Sequence, residues 1–264
     1  MTLVIPYVSK LFIYPIKALD RVGVESVTVL KSGALKRDRK FAIFDESGHF
    51  VNGKRNQRVH ALRSQFDLET SIVSLRVQGT DRIETFDVEK EQEALESWLG
   101  GYFGFPVRVM QNLDLGFPDD TVSPGPTIIS TATLEAIASW YPELEVEEIR
   151  RRFRANIEIS GVPAFWEDRL FTEAERTVNF CIKDVHLMGV NPCQRCVVIT
   201  RDSHTGEAYP NFQKTFVAKR RETLPEWTER TRFNHFYRLA INTRVPPSEE
   251  GKEICLGDEV RILS

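Results

Sequence analysis

The chain reads as mainly β with some α, an α+β protein of barrel-like sheets, on three observations. Short segments of alternating apolar and polar residues recur along the whole sequence, few stretches carry apolar residues at helical spacing, and strand and helix signals do not alternate regularly. The last point sets aside a doubly wound parallel sheet.

In the first third, residues 8–16, 26–30, 41–44, 65–69 and 71–77 have strand character. Asp45-Glu-Ser-Gly48 predicts a hairpin joining 41–44 to 50–51. Residues 89–99 set Leu95, Trp98 and Leu99 on one helical face and meet a stop signal at Gly100-Gly101. Residues 105–109 predict a strand. The stretch 112–126 that follows holds three prolines, three acids and two glycines, and predicts a loop and a boundary between units 1–115 and 116–264. Residues 131–141 predict a helix with Leu134, Ile137 and Ala138 on one face, ended by Pro142. From Arg152 the sequence alternates: Phe153, Ala155, Ile157 and Ile159 face a core while Arg152, Arg154 and Asn156 share the other side, until Ser160-Gly161 turns the chain. Residues 177–182, 186–190, 197–200, 236–242 and 260–263 predict further strands, with turns at His204-Thr-Gly206 and Gly257-Asp258.

With 264 residues, 41% apolar and 28% charged, the chain has room for one large or two modest domains with ample core. A net charge of −3 and a pI near 6.0 argue against a nucleic-acid binder. The apolar start, residues 1–8, is broken by Lys10 and Lys17 well short of the roughly 20 residues that span a bilayer, so neither signal peptide nor membrane anchor is expected. Four cysteines, two of them close together, do not resemble a disulfide framework, and a cytoplasmic location fits them.

Cys193-Gln-Arg-Cys196 is the most informative stretch. A Cys-x-x-Cys serves as a zinc half-site, a redox pair, or a soft ligand for another metal. Redox pairs usually open a helix, whereas Val197, Val198 and Ile199 favour a strand. A closed zinc site needs a second pair of ligands, and Cys181 and Cys255 stand alone without a histidine at ligand spacing. Among the basic residues, Arg37 and Arg39 sit two apart at the entry to 41–44 and share a face if that strand extends back, while Lys54, Arg55 and Arg58 follow the hairpin. Arginine forks suit phosphate, although any one of these taken alone reads as a solvated surface group or a partner of Asp38.

Five motifs in order give these residues company: Tyr14-Pro-Ile-Lys17, Lys36-Arg-Asp-Arg39-Lys-Phe41, Arg152-Phe-Arg154-Ala-Asn156, Phe165-Trp-Glu-Asp168, and Asn191-Pro-Cys193-Gln-Arg-Cys196 continuing through Asp202 and Gly206. With Leu256-Gly-Asp258 near the C-terminus, the chain resembles the MOSC family over nearly its whole length. It is most similar to the branch with an N-terminal β-barrel domain that includes the mitochondrial amidoxime-reducing component and its bacterial relatives. The resemblance implies a MOSC β-barrel domain plus a smaller N-terminal barrel-like domain, with a molybdenum cofactor (molybdenum and molybdopterin) in the cleft between them. It implies Cys196 as the catalytic residue and metal ligand, Cys193 as a small buried thiol nearby, and Lys17, Arg37, Arg39, Ser123, Arg154 and Asn156 as cofactor-binding. Ala18 departs from the animal enzymes, which place a serine after the lysine.

The activity so implied is reductive removal of oxygen from a small N-hydroxylated substrate. Electrons would come from a separate partner, ferredoxin-like or a b-type cytochrome with its reductase, because no iron–sulfur cysteine set is present and this chain ends at Ser264. The rival is a carrier of the cofactor or of persulfide sulfur; a superfamily-level link to pyridoxal phosphate binding also comes with the resemblance. Glu167 and Asp168 read as structural, facing opposite ways if they lie in a strand, and His186, His204 and His235 are isolated. No Gly-rich phosphate loop or nucleophile elbow is present.

Overall fold

Most of the alternating segments form strands in the computed structural model, which describes residues 5–263; the first part of the apolar start, residues 1–4, lies outside the described residues. In chain order these are β1 (Tyr7–Ile13), β2 (Val22–Val24), β3 (Ser26–Thr28), β4 (Phe41–Asp45), β5 (Leu62–Asp67), β6 (Ile72–Val77) and β7 (Ile83–Asp87), then α1 (Gln92–Phe103) and β8 (Val107–Gln111). The second half continues with β9 (Ile128–Ser130), α2 (Thr131–Ala138), α3 (Val146–Phe153), β10 (Ile157–Ser160), β11 (Val178–Ile182) and β12 (Val185–Gln194). It closes with α4 (Phe212–Glu222), β13 (Arg238–Arg244), β14 (Glu253–Cys255) and β15 (Val260–Ile262).

The main sheet has eight strands in the order β15-β11-β12-β13-β9-β10-β1-β2. Among the described residues only β9 and β10 run parallel within it. The first strand of the chain belongs to this sheet: Leu11 pairs with Ile157, and Ser26 of β3 pairs with Cys255 of β14. The two halves are thus interleaved through backbone hydrogen bonds. The intervening residues form the β4–β8 pair and the three-stranded β5-β6-β7 sheet, with their own core of Phe41, Ile43, Leu62, Leu75 and Leu99. The hairpin at Asp45–Gly48 is present, with Phe44 bridging Phe50.

Helix α1 passes through Gly100-Gly101 and stops at Gly104, whose φ of 83° supplies the left-handed cap. A glycine inside a helix costs about 1 kcal/mol against alanine, too little to end one whose Leu95, Leu99 and Phe103 are buried. The strand expected from Arg152 is a second correction. Residues 146–153 are α3, Arg154 is its left-handed cap, and the strand begins only at Ile157. Glu147 and Glu148 in the first turn and Arg150, Arg151 and Arg152 in the last suit the helix dipole. They also pair across turns, Arg152 to Glu148 at 2.6 Å and Arg150 to Glu147 at 2.5 Å.

Residues 197–200 form a 3-10 turn, not a strand. Ile199 alone is buried there, and the Thr200 hydroxyl donates to the Val197 carbonyl at 2.7 Å, closing the turn on itself. Trp166–Leu170 is likewise a 3-10 turn that buries both Glu167 and Asp168. Asp168 accepts from Arg220 at 2.5 Å and from the Thr228 hydroxyl at 2.8 Å, and Glu167 accepts from the Thr133 hydroxyl at 2.9 Å. Both acids bond within the core.

Candidate functional site

Ala18, Arg37, Arg39 and Arg154 all have positive φ, between 49° and 72°. An L-residue in that region costs on the order of 1 kcal/mol, and such strain concentrates where side chains must be aimed. Arg37 and Arg39 therefore do not share the face of an extended strand; they sit in a turn whose backbone is tied to β1's end by Arg39 N donating to Tyr14 O at 2.8 Å. The turn sends them apart. Arg37 is exposed, and its charge helps hold Asp67 below the usual carboxylate range, after the backbone and side-chain hydrogen bonds that Asp67 accepts.

Arg39 points inward to meet residues from both halves. Its Nη1 bonds the Asp38 carboxylate and reaches Asn156 Oδ1 at 3.5 Å. Burial pushes its pKa down, but Asp38 and then Asp119 more than reverse this. Arg154 comes from the other half with its Cζ 4.1 Å from the centre of the Tyr14 ring, which Arg39 Cζ also overlies at 5.0 Å. Its Nη2 donates to Leu19 O at 2.8 Å, and it forms no ion pair among the described residues. Burial lowers its pKa and the charge of Arg39 adds to the effect.

Lys17 is buried, with Nζ 2.9 Å from Phe117 O and 2.6 Å from Asp119 Oδ1. Burial lowers its pKa, partly offset by Asp119. The Asp119 side chain is 81% exposed. Desolvation would raise its pKa, yet the opposing pull of Lys17 and then Arg39 wins and holds it far below the carboxylate range. Three inward cations thus face two carboxylates, one of them on the surface.

Residues 112–126 carry this cluster toward the cysteines. Gly116 allows the approach: a Cβ there would lie 2.5 Å from Asp38 O, and its φ is 65°. Asp120, next to the partner of Lys17, accepts through Oδ1 from the backbone N of Ser123 at 3.1 Å, and its Oδ2 accepts from Asn242 Nδ2 at 3.4 Å. Asn242 Oδ1 in turn accepts from the Cys193 thiol at 2.8 Å. Cys193 is buried, and burial pushes its pKa up to about 11, so it is a neutral thiol. Cys196, half-buried, begins the 3-10 turn; its carbonyl accepts from the Tyr237 hydroxyl at 3.3 Å. Between them Arg195 donates to Phe153 O at 2.8 Å, tying the cysteine segment to the residue before Arg154.

Lys17, Arg39, Arg154 and Asn156 are therefore brought together, Ser123 is buried in the adjoining loop, and Arg37 stands outside. The Asn156 amide is occupied within the protein, donating to Phe12 O at 3.0 Å and accepting from Thr127 N at 3.2 Å. It joins the strand ends behind Arg39. Sequence reasoning missed Asp119, Asp120 and Arg195; the acids of the 112–126 loop were visible, but nothing in their spacing marked them as cation partners. Among the described residues no group of three or more His, Cys, Asp or Glu gathers as a metal site. No described helix is long and apolar enough to cross a membrane.

Residues 5–100 match the family described as the MOSC N-terminal beta barrel domain, and residues 127–261 match the MOSC domain. The chain is 28% identical over 229 residues to a molybdenum cofactor sulfurase of Caenorhabditis elegans, covering 78% of this chain and 30% of that protein. It is 27% identical over 237 residues to mitochondrial amidoxime-reducing component 1 of Homo sapiens, covering 75% of this chain and 67% of that one. A molybdenum cofactor sulfurase of Homo sapiens is 24% identical over 267 residues, covering 82% and 29%. The chain thus spans about 30% of the length of the sulfurases it matches.

Proposed function

This chain belongs to the MOSC family, and from that premise we propose that it is a molybdenum-cofactor-dependent reductase of N-hydroxylated compounds. Its similarity both to an amidoxime-reducing component and to molybdenum cofactor sulfurases supports a function tied to that cofactor. The observation that carries the binding site is Arg154, an inward guanidinium without a carboxylate partner beside Lys17 and Arg39. Uncompensated inward charge of this kind suits a multiply charged anion such as the cofactor's phosphate.

In this reading Lys17, Arg39 and Arg154 hold the phosphate and pterin, with Asn156 fixing the backbone behind them. Cys196 presents the one soft protein ligand, which suits a metal that brings further sulfur ligands of its own. Cys193 keeps its proton and stays bonded to Asn242. When bound, the cofactor would supply two-electron chemistry at the N–O bond; the overall reaction balances with two electrons from a separate donor protein and two protons from solvent, giving the reduced nitrogen and water. Val197, directly after Cys196 and 46% exposed, would offer a small substrate an apolar surface beside that ligand. We place this activity in the cytoplasm, with residues from both 1–115 and 116–264 contributing to the cofactor site.

Protein purified from a host that makes molybdenum cofactor should contain molybdenum and pterin and reduce an N-hydroxylated substrate with an artificial electron donor. The similarity to the sulfurases favours one rival, transfer of persulfide sulfur on Cys196. Cyanide-releasable sulfur on Cys196 without substrate reduction would decide for it.

A further inference from the structure

We propose that Tyr14 is the positioning residue of this anion site, serving as an aromatic counter-face that steadies Arg39 and Arg154 and leaves the in-plane donors of Arg154, apart from the one bonded to Leu19 O, unspent. The proposal rests on the cofactor reading above. Three like charges packed inward repel, and proteins usually answer with carboxylates. Here Asp38 is committed to Arg39 and to the backbone N of Tyr14 at 2.8 Å, and Asp119 is on the surface with Lys17. Arg154 has Leu19 O and the Tyr14 ring.

The geometry separates two kinds of attraction. All five guanidinium donors lie in the plane of the group, so a carboxylate that neutralises an arginine occupies the edge a phosphate needs. An aromatic ring attracts the same cation through its face and leaves the in-plane donors unspent. Tyr14 is 1% exposed, and burial raises its pKa, so the ring is a neutral phenol. It is locked from every side. Its N donates to Asp38, its carbonyl accepts from Arg39 N at 2.8 Å, and its hydroxyl donates to Ala155 O at 3.2 Å, next to Arg154. One side chain of β1's end thus sets the distance between cations contributed by both halves.

The test compares Tyr14→Phe, which keeps the ring and loses the hydroxyl, with Tyr14→Leu, which loses both; Tyr14→Met replaces the latter if it does not fold. Holoprotein of each is diluted, and released pterin is oxidised and followed by fluorescence. A ring contribution of roughly 1–2 kcal/mol predicts loss about 5- to 30-fold faster in Tyr14→Leu, with Tyr14→Phe recovering most of the difference. Without cofactor, the Arg154 Nε–Hε NMR signal should be shifted upfield by the ring in wild type and Tyr14→Phe, and not in Tyr14→Leu. Wild-type retention in Tyr14→Leu, equal loss in both variants, or no ring shift in wild type would each overturn the proposal. If wild type holds neither molybdenum nor pterin, the cofactor reading fails separately, and titration with inorganic phosphate tests Tyr14 alone: weaker binding only in the ringless variant supports it, and equal binding in all three overturns it.

Discussion

Replacing Arg154 with alanine should empty the cofactor site while leaving the protein folded. In the folded chain the guanidinium makes one neutral hydrogen bond, to Leu19 O, and one contact with the Tyr14 ring. Together these contribute about 1–2 kcal/mol to stability. Its removal also relieves repulsion with Arg39 and Lys17 and the desolvation that lowers its pKa. The backbone conformation changes little, because arginine and alanine bear the same left-handed strain at φ 54°. The net change in stability should be within about 1 kcal/mol. For a bound phosphate the loss is a charge-assisted pair worth roughly 1.5–3 kcal/mol, or about one to two decades of affinity. Pterin released from Arg154→Ala, counted per folded molecule beside a thermal unfolding curve, should show near-empty protein with an almost unchanged midpoint. Lysine at 154 should restore only part of the occupancy, since it returns the charge without the fork. Alanine at Lys54 or Arg58, both exposed, should leave occupancy near wild type. Full pterin in Arg154→Ala, with loss confined to those two surface variants, would refute the placement of the phosphate.

Three further outcomes follow from the same geometry. Cys196→Ser should abolish activity and remove one sulfur from the metal's shell by X-ray absorption, whereas Cys193→Ser, whose hydroxyl can still donate to Asn242, should keep that sulfur and lose only part of the activity; the reverse pattern would exchange the two roles. Asp119→Asn removes the exposed carboxylate that competes for Lys17, so phosphate binding measured by calorimetry should tighten a few-fold at low salt and converge with wild type at about 0.5 M. Burial raises Glu167 from an ordinary 4.5 to about 7, with the charge of Asp168 adding to the effect. The folded state therefore holds that proton more tightly; the stabilisation is complete below pH 4.5 and is lost as pH rises through about 7. Glu167→Gln should flatten that slope and stabilise the protein at pH 8 by up to about 3 kcal/mol in denaturant titration. A slope that persists in the variant would assign it to another group.

Several strands with one face buried were legible, because alternation then records the core directly, although Ile83–Asp87 was not. Ile72–Val77 and Val178–Ile182 lie within about one residue of where the pattern puts them, whereas the expected 8–16 strand is Tyr7–Ile13 and stops at Ile13. The failures share one cause: a short apolar or charged run read without its neighbours. Arg152 to Ile159 alternates, but the acids just upstream and the three arginines make a helix that ends in a left-handed residue, and the alternation spans the joint. Val197–Thr200 has strand propensity, but β12 has already ended at Gln194 and a turn that buries only Ile199 fits there. The helix at 212–222 escaped notice because its buried Phe212, Phe216 and Arg220 include a charged residue, which lies buried between two aromatic rings and against Asp168.

The site lay beyond periodicity for a related reason. Lys17 is followed by, and Arg39 and Arg154 themselves occupy, left-handed positions, each of which turns the chain out of the regular path from which faces are inferred. Motif resemblance reached these residues because it preserves spacing without needing a face. The same motif holds both Arg37 and Arg39, and here backbone geometry separates what the motif joins: a single residue between two left-handed arginines sends one outward and the other onto Tyr14. Arg37→Ala should therefore leave pterin retention at the wild-type level while Arg39→Ala lowers it about one to two decades. Comparable loss in both, measured on folded protein, would show that the bound cofactor draws Arg37 inward and that the turn at 36–40 rearranges on binding.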